Sequence, residues 1–362
     1  MLRKGTFIPM KTKIQDMTSG SPGRLIILFA IPLMLGNICQ QLYTMVDTMV
    51  VGQVAGVEAL AALGAVDFLM WVVTGISTGL TQGFSIQLSQ YYGAKDFENL
   101  RKSLAHSYRL TAFIAAGVFI LSQSFASLVL TGLHTPSNII GMSLLYLRII
   151  FCGIPATAAY NMFASALRAM GNSKTPLTAM IIASVLNVSL DILFVAGFGW
   201  GVAGAAIATV IAQSFSAVYC FLILRRIDIV HLTRADFMPA AGMNARLMKL
   251  GIPVVFQNII IGVGGLVVQY VINGYGFLFV AGFTATNKLY GLLEMAAISY
   301  GYAIVTYVGQ NLGAGKIDRI RKGVRSSMLL SLLTSLIISA AMFLFGKNIL
   351  SLFISGEPQQ TY

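Results

Sequence analysis

The sequence predicts an all-α polytopic membrane protein, and three observations carry that reading. Hydrophobic residues make up 57% of the 362 and charged residues only 10%, with a mean hydropathy of +0.80. Soluble domains carry roughly a quarter charged residues, so this chain has too few to cover a water-facing surface. The apolar residues gather into nine runs, each long enough to cross a hydrocarbon core of about 30 Å as a helix. Finally, the net charge of +12 sits in the short polar connectors between those runs. That distribution points to membrane orientation and away from nucleic acid as a partner.

The runs lie near 24–53, 59–90, 103–131, 138–166, 175–197, 202–224, 247–274, 278–309 and 324–354. The first contains Pro32 and Asp47, the second Asp67, the fourth Pro155, and the fifth Asn187 and Asp191. The sixth is dense in small residues (Gly201, Gly204, Ala205, Ala206, Ala208), which allow close helix approach. The seventh contains Pro253, and the eighth Lys288 and Glu294. Proline inside a span is expected to kink its helix and free carbonyls. Ahead of the first run, residues 1–23 are polar and basic and contain no cleavable signal pattern, so the first helix is expected to direct insertion. With that tail in the cytoplasm, the inner connectors hold Lys95, Arg101, Lys102, Arg168, Lys174, Arg225, Arg226, Lys316 and Arg319. The outer connectors near 54–58, 132–137, 198–201 and 275–277 hold no Lys or Arg. The positive-inside rule therefore places the N-terminus in the cytoplasm. Cys39, Cys152 and Cys220 fall within apolar runs at no metal-type spacing, which argues against a disulfide framework or a metal centre built on cysteine.

The chain also repeats itself. GRLIILFAIPLMLGN (23–37) is similar to MKLGIPVVFQN (248–258), pairing Pro32 with Pro253 and Asn37 with Asn258 at an offset of 221. QYYGAKDFENLRK (90–102) is similar to QNLGAGKIDRIRK (310–322) at an offset of 220. Six helices separate the copies, an even number, so both enter the membrane from the same side. That is a parallel repeat about an axis along the membrane normal, an arrangement found in transporters with a site between two lobes. The expected organisation is a cytoplasmic tail (1–23), a first lobe of helices 1–6 (24–224), a cytoplasmic linker (225–246) and a second lobe carrying helices 7–9 (247–362). The first copy runs on for about 90 residues past the position where the second stops, so nine helices of an expected twelve are present.

An ionisable group at a helix centre costs about 2.5–3.5 kcal/mol on insertion scales, so Asp47, Asp191 and Glu294 are expected to face protein or water. Asn187 and Asp191, four residues apart, share one helical face. At 1.5 Å of rise per residue, Asp47 and Asp191 each lie about 9 Å from the outer end of their helix and Thr209 about 11 Å. Two carboxylates, an amide oxygen and a hydroxyl offer hard oxygen ligands for Na+. Two carboxylates close together in low dielectric also share a proton readily, so the same atoms suit H+. Interhelical hydrogen bonding for packing alone is the competing reading of Asn187 and Asp191; the arrival of Asp47 and Thr209 at the same depth from separate helices weighs against it. Asp67 sits near the outer end of its helix, where a capping role competes with a functional one. Tyr43, Met45, Phe68 and Trp71 are expected around an adaptable apolar cavity. Asn287 and Glu294, seven apart on one face, are candidates for its second-lobe wall, with packing as the competing role.

These segments together resemble the multidrug and toxic compound extrusion (MATE) transporters of the bacterial type. The motifs that carry the resemblance are VDTMVVG with Asp47, NVSLD with Asn187 and Asp191, GVAGAAIATV with Thr209, RAMGNSKTP (168–176), and the GAK and GAGK connectors. The resemblance implies two pseudo-symmetric six-helix lobes around a V-shaped cavity in a bacterial inner membrane. It also implies export of amphiphilic organic cations in exchange for Na+ or H+, with Asp47, Asn187, Asp191 and Thr209 as the first-lobe cation site. No cofactor beyond the coupling ion is expected, and one chain in the lipid bilayer is the expected working unit. One departure stands out: helix seven (251–276) carries no acid, whereas some members have one there. A lipid-linked oligosaccharide flippase of the same superfamily is the nearest rival, but it calls for a more cationic cavity than Asp47, Asp191, Glu294 and the single Lys288 provide. An intramembrane enzyme needs a clustered catalytic set, and His106, His134 and His231 are far apart in sequence and near span ends. The topology is tested by placing a cysteine at Asp228 in a chain whose native cysteines are replaced. A membrane-impermeant maleimide is expected to label it only after permeabilisation, and labelling in intact cells contradicts the assigned orientation.

Overall fold

A computed structural model describes residues 14–133, 135–273 and 277–350; the side chains of Phe68, Asn287 and Lys288 lie outside the described set. Among the described residues ten α-helices follow one another: α1 Pro22–Ala55, α2 Val57–Gly93, α3 Phe97–Gly132, α4 Ile140–Cys152, α5 Ile154–Ala169, α6 Lys174–Asp191, α7 Gly201–Leu224, α8 Met243–Asn273, α9 Phe277–Gly313 and α10 Ile317–Leu350. No strand occurs among the described residues. Seven of these helices are long and apolar enough to cross a membrane, eight if α4 and α5 form one bent span. The expected run over 278–309 corresponds to α9 and that over 324–354 to α10. Phe113, Leu128, Ile260, Ile337 and Phe343 stand exposed on the outside, where lipid tails are the only medium that does not penalise them.

Two spans depart from a simple rod. The run read as one helix over 138–166 is α4 and α5, bent by 45°; Gly153 and Pro155 lie at the break, where proline has no N–H to continue the ladder and clashes with the preceding turn. Pro32 and Pro253, by contrast, sit inside unbroken helices. The run over 175–197 is helical only to Asp191 and continues as a π turn, Ile192–Gly197.

The two copies of the repeat meet about a pseudo-two-fold axis that is visible in reciprocal contacts. A Cβ on Gly93 of α2 would overlap the Gln310 carbonyl of α9, and a Cβ on Gly313 would overlap the Gln90 carbonyl of α2. Gln90 and Gly93 are the counterparts of Gln310 and Gly313 at offset 220, so each copy offers its glycine to the other's carbonyl. The amides at the matched positions behave the same way. Asn258 of α8 donates to the Gly75 carbonyl at 3.1 Å, and Asn37 of α1 donates to the Ser299 hydroxyl at 3.1 Å, which passes the bond to the Met295 carbonyl. Where the first copy has Gly79, the second has Ser299, and the hydroxyl fills the gap.

These contacts lie in the half of the bundle that carries the basic connectors, and the N-terminal segment reinforces it. Gln310 accepts from the Met17 N–H at 3.0 Å and donates to the Ala169 carbonyl at 2.8 Å. The Gln15 N–H donates to the Gly171 carbonyl. Asn311 donates to the Met17 carbonyl, Lys316 to that of Thr18 and Arg319 to that of Gly20. Met17 is fully buried between the two repeats. Burial alone would raise the Asp16 carboxyl, but hydrogen bonds from Thr18 and Ser19 and the charge of Lys316 outweigh it and hold Asp16 below its usual value. The α7–α8 linker docks on α3 through Arg101 to Asp236, Arg109 to the Phe237 carbonyl, and His106 between Asn244 and the Met238 carbonyl.

At the crossing of α2 on α8, a Cβ on Gly83 would meet the Gly251 backbone. Gly83→Ala is therefore expected to lower the melting temperature by the equivalent of about 1–3 kcal/mol through overpacking. Gly117→Ala, in a helix with open space around it, is expected to leave it unchanged or raise it. Equal effects would contradict the crossing.

Candidate cation site and cavity

Helical spacing on α1 puts Gln40, Tyr43, Thr44, Asp47 and Thr48 on one stripe. That stripe is one wall of a cavity of about 400 Å³, closed by Asp67, Trp71, Thr74 and Thr78 of α2, Tyr146 of α4, Asn161 and Arg168 of α5, Thr209 and Gln213 of α7, and Tyr302 of α9. A larger hollow of about 890 Å³ between α9 and α10 is mostly apolar and lacks the convergent polar groups that mark a binding site.

Behind the cavity wall, Asn187 and Asp191 of α6 are completely buried and Asp47 is 5% exposed. Asn187 Nδ2 reaches the Thr209 hydroxyl at 3.4 Å, which joins α6 to α7. Asp47 is within electrostatic reach of both Asp191 and Asp67. The π turn begins at the residue after Asp191, and insertions of this kind occur at functional sites. Its Phe194 stacks on Trp200 at 5.1 Å and on Phe198 at 6.0 Å, which anchors the end of the span just beyond the acid.

The decisive feature is what these oxygens lack. Asp47 Oδ1, Asn187 Oδ1, both Asp191 carboxylate oxygens and Gln213 Oε1 are buried with no hydrogen-bond donor. A buried acceptor without a partner costs about 1–3 kcal/mol, and more when charged. Five such oxygens, two of them on a single carboxylate, belong to side chains of α1, α6 and α7 at or behind one cavity wall, and their chemistry suits a small cation. The donor set is oxygen throughout, which fits Na+ or a proton and not a soft metal. Among the described residues no three His, Cys, Asp or Glu side chains converge as a transition-metal site requires.

Of the residues expected at the site, Asp47 and Thr209 line the cavity, Asn187 and Asp191 sit directly behind it, and Tyr43 and Trp71 form part of its wall. Met45 is half-buried and off the wall, because it lies on a different face of α1 from the stripe; Glu294 is exposed and also off it. Phe68 and Asn287 fall outside the described side chains. Sequence reasoning left Asp67 between capping and function, and the structure puts it in the wall. It also passed over Gln213, although Gln213 is one turn from Thr209, and read Arg168 only as a topology signal.

A family model described as MatE matches residues 32–193 and again 253–358, starting at the two prolines of the repeat. The chain belongs to the MatE family. MatE relatives include the "Probable multidrug resistance protein YpnP" of Bacillus subtilis (strain 168), 32% identical over 96% of this chain and 77% of that protein. The "Probable multidrug resistance protein NorM" of Thermotoga maritima is 26% identical over 92% of this chain and 72% of its own length. Among solved structures, a MOP superfamily transporter from Pyrococcus furiosus, described as having a binding pocket of reverse polarity, has a TM-score of 0.90 at 23% identity and covers 97% of this chain and 78% of its own. A multidrug resistance MATE transporter in an outward-facing conformation has the same score and identity. The MatE assignment makes this protein a multi-pass membrane transporter of the multidrug efflux type, not an enzyme.

Asp191→Asn supplies N–H donors beside acceptor oxygens that have no partner. In Na+-free buffer at pH 8 it is expected to raise stability by about 1–3 kcal/mol, read as a higher melting temperature. A clear fall would show that the oxygens have donors in solution.

Proposed function

We propose that this protein exports amphiphilic organic cations across a bacterial inner membrane, with its N-terminus in the cytoplasm, in exchange for Na+ or H+. The group of buried acceptor oxygens around Asp47 and Asp191 carries this reading. It sits at the cavity wall, so a coupling ion bound there and a drug held in the cavity act on the same helices. The printed descriptions of the relatives as multidrug resistance proteins support the substrate class. The cavity's charged lining, Asp47 and Asp67 against Arg168, supports cations over the anionic pyrophosphate of a flippase substrate.

The cycle follows from the two-repeat architecture. Inter-repeat contacts of Gly83, Gly93 and the Met17 segment close the basic end, which leaves the cavity to open towards the other side. Ion binding at Asp47 and Asp191 neutralises the wall, and drug binding there requires it charged, so the two ligands favour opposite states of one equilibrium. A ligand shifts such an equilibrium only by its difference in affinity for the two states, and competition for one carboxylate pair provides that difference. One working unit per chain suffices, since both walls of the cavity come from the same polypeptide.

In cells expressing this chain, ethidium efflux is expected to follow an imposed Na+ or H+ gradient. Asp47→Asn and Asp191→Asn are each expected to abolish ion-coupled efflux, at least about tenfold, while membrane insertion is unchanged. Unaltered efflux in either variant contradicts the proposed site.

A further inference from the structure

On the face of α5 turned away from the cavity, two hollows adjoin. One, of about 350 Å³, lies under the α7–α8 linker at the basic end, and its lining includes Tyr108, Phe221, Arg225, His231 and Phe237. The other, of about 220 Å³ and mostly apolar, runs on between α3 and α5 past Ala115, Ala158 and Met162 to Pro155, where the span bends by 45°. Tyr108 and Phe221 line both hollows. Between them Phe163 packs edge-on against Tyr108 at 5.4 Å and tilted against Phe221 at 5.2 Å, so the two hollows form one groove with an aromatic waist. From Phe163 to Pro155 the groove follows about 12 Å of α5.

One end of this groove is charged and the rest is not. Arg225 is exposed and has no hydrogen bond or ion pair among the described residues. Arg109 donates to the carbonyl of the lining residue Phe237 at 2.9 Å, which puts a second guanidinium at the rim. Of the nearby acids, Asp236 is engaged by Arg101 and Thr233, and Asp228 is fully exposed, 3.9 Å from His231. The Asp236 contacts, with His106 on the Met238 carbonyl, also fix the linker, so the groove is built before any ligand arrives. We propose that it holds one anionic phospholipid of the leaflet that meets the basic connectors, with the phosphate at Arg225 and Arg109 and one acyl chain along α3 and α5 to Pro155. A guanidinium matches the geometry of a phosphate, and basic pockets between helices at a membrane face take such headgroups. The apolar length accepts the chain. Pro155, Ala158 and Met162 fall on the side of α5 opposite Thr157, Asn161 and Arg168, which line the cavity, so the lipid braces the cavity wall from behind. This site needs only the membrane setting and stands apart from the cation-export reading.

The test is native mass spectrometry of the full chain, purified and delipidated in detergent, titrated with phosphatidylglycerol or phosphatidylcholine of identical acyl chains. The unaltered chain is expected to retain one phosphatidylglycerol about fivefold or more tighter than phosphatidylcholine, the scale of one basic side chain at a membrane surface. Arg225→Gln is expected to bring that ratio below about twofold. Ala112→Phe, at an exposed position in the groove lining, fills the apolar half and is expected to weaken both lipids by about threefold or more. Arg321→Gln, exposed at the same basic end but on α10, is expected to leave the ratio unchanged. All three positions are exposed, and a melting temperature close to that of the unaltered chain confirms that each variant folds. Equal retention of the two lipids, or retention of neither, overturns the proposal. A ratio that survives Arg225→Gln, or lipid binding indifferent to Ala112→Phe, overturns the assigned groove, and a ratio lost equally in Arg321→Gln replaces it with diffuse attraction to the basic end.

Discussion

Buried oxygens without donors organise the functional part of this molecule. A carboxylate with no donor, completely buried among apolar helices, is among the most costly arrangements a protein can hold. Asp191 is such a group, and Asp47 brings a second one within electrostatic reach. Among the described residues no ion pair joins either acid to a basic residue, and the lining cation Arg168 is held by Ser165. In the proposed cycle a cation removes that cost, so the empty and filled states differ in stability, and that difference would couple the ion to a conformational change.

The scaffold makes the difference usable. Two copies of one helical pattern close against each other at the basic end through glycines that admit the partner's backbone, and the segment around Met17 lies across both copies. The acids sit towards the opposite end, at the junction of α1, α6 and α7. A change in charge there acts on α1, and α1 also packs on α9 of the second repeat. The ion pocket and the closed end are therefore two ends of one helix.

Much of this was legible in the sequence because membrane helices obey simple rules. Length and hydropathy located the spans, a fixed offset exposed the repeat, and helix rise brought Asp47, Asn187, Asp191 and Thr209 to one depth, where the structure joins Asn187 to Thr209 and sets Asp47 within reach of Asp191. Other features depend on tertiary geometry and were not legible. The break at Gly153 and the intact helix at Pro32 look alike in a linear reading, because a proline kink is released or suppressed by what packs beside it. The π turn after Asp191 has no compositional mark. Met45 was expected around the cavity as an adaptable apolar side chain, whereas two residues of spacing from Tyr43 turn it to another face of α1. Gln213 carried a usable signal, its position one turn from Thr209. Its importance lies in an unpaired oxygen, which no spacing argument reveals.

Difference infrared spectroscopy of the carboxyl groups tests the central claim most directly, since it reads whether Asp47 and Asp191 carry a proton and whether a metal ion displaces it. In the unaltered chain a protonated-carboxyl band is expected in Na+-free buffer. It should disappear on raising the pH or adding Na+, and it should be absent or halved in Asp191→Asn. A cation-insensitive carboxyl spectrum, identical in the unaltered chain and Asp191→Asn, would contradict the account.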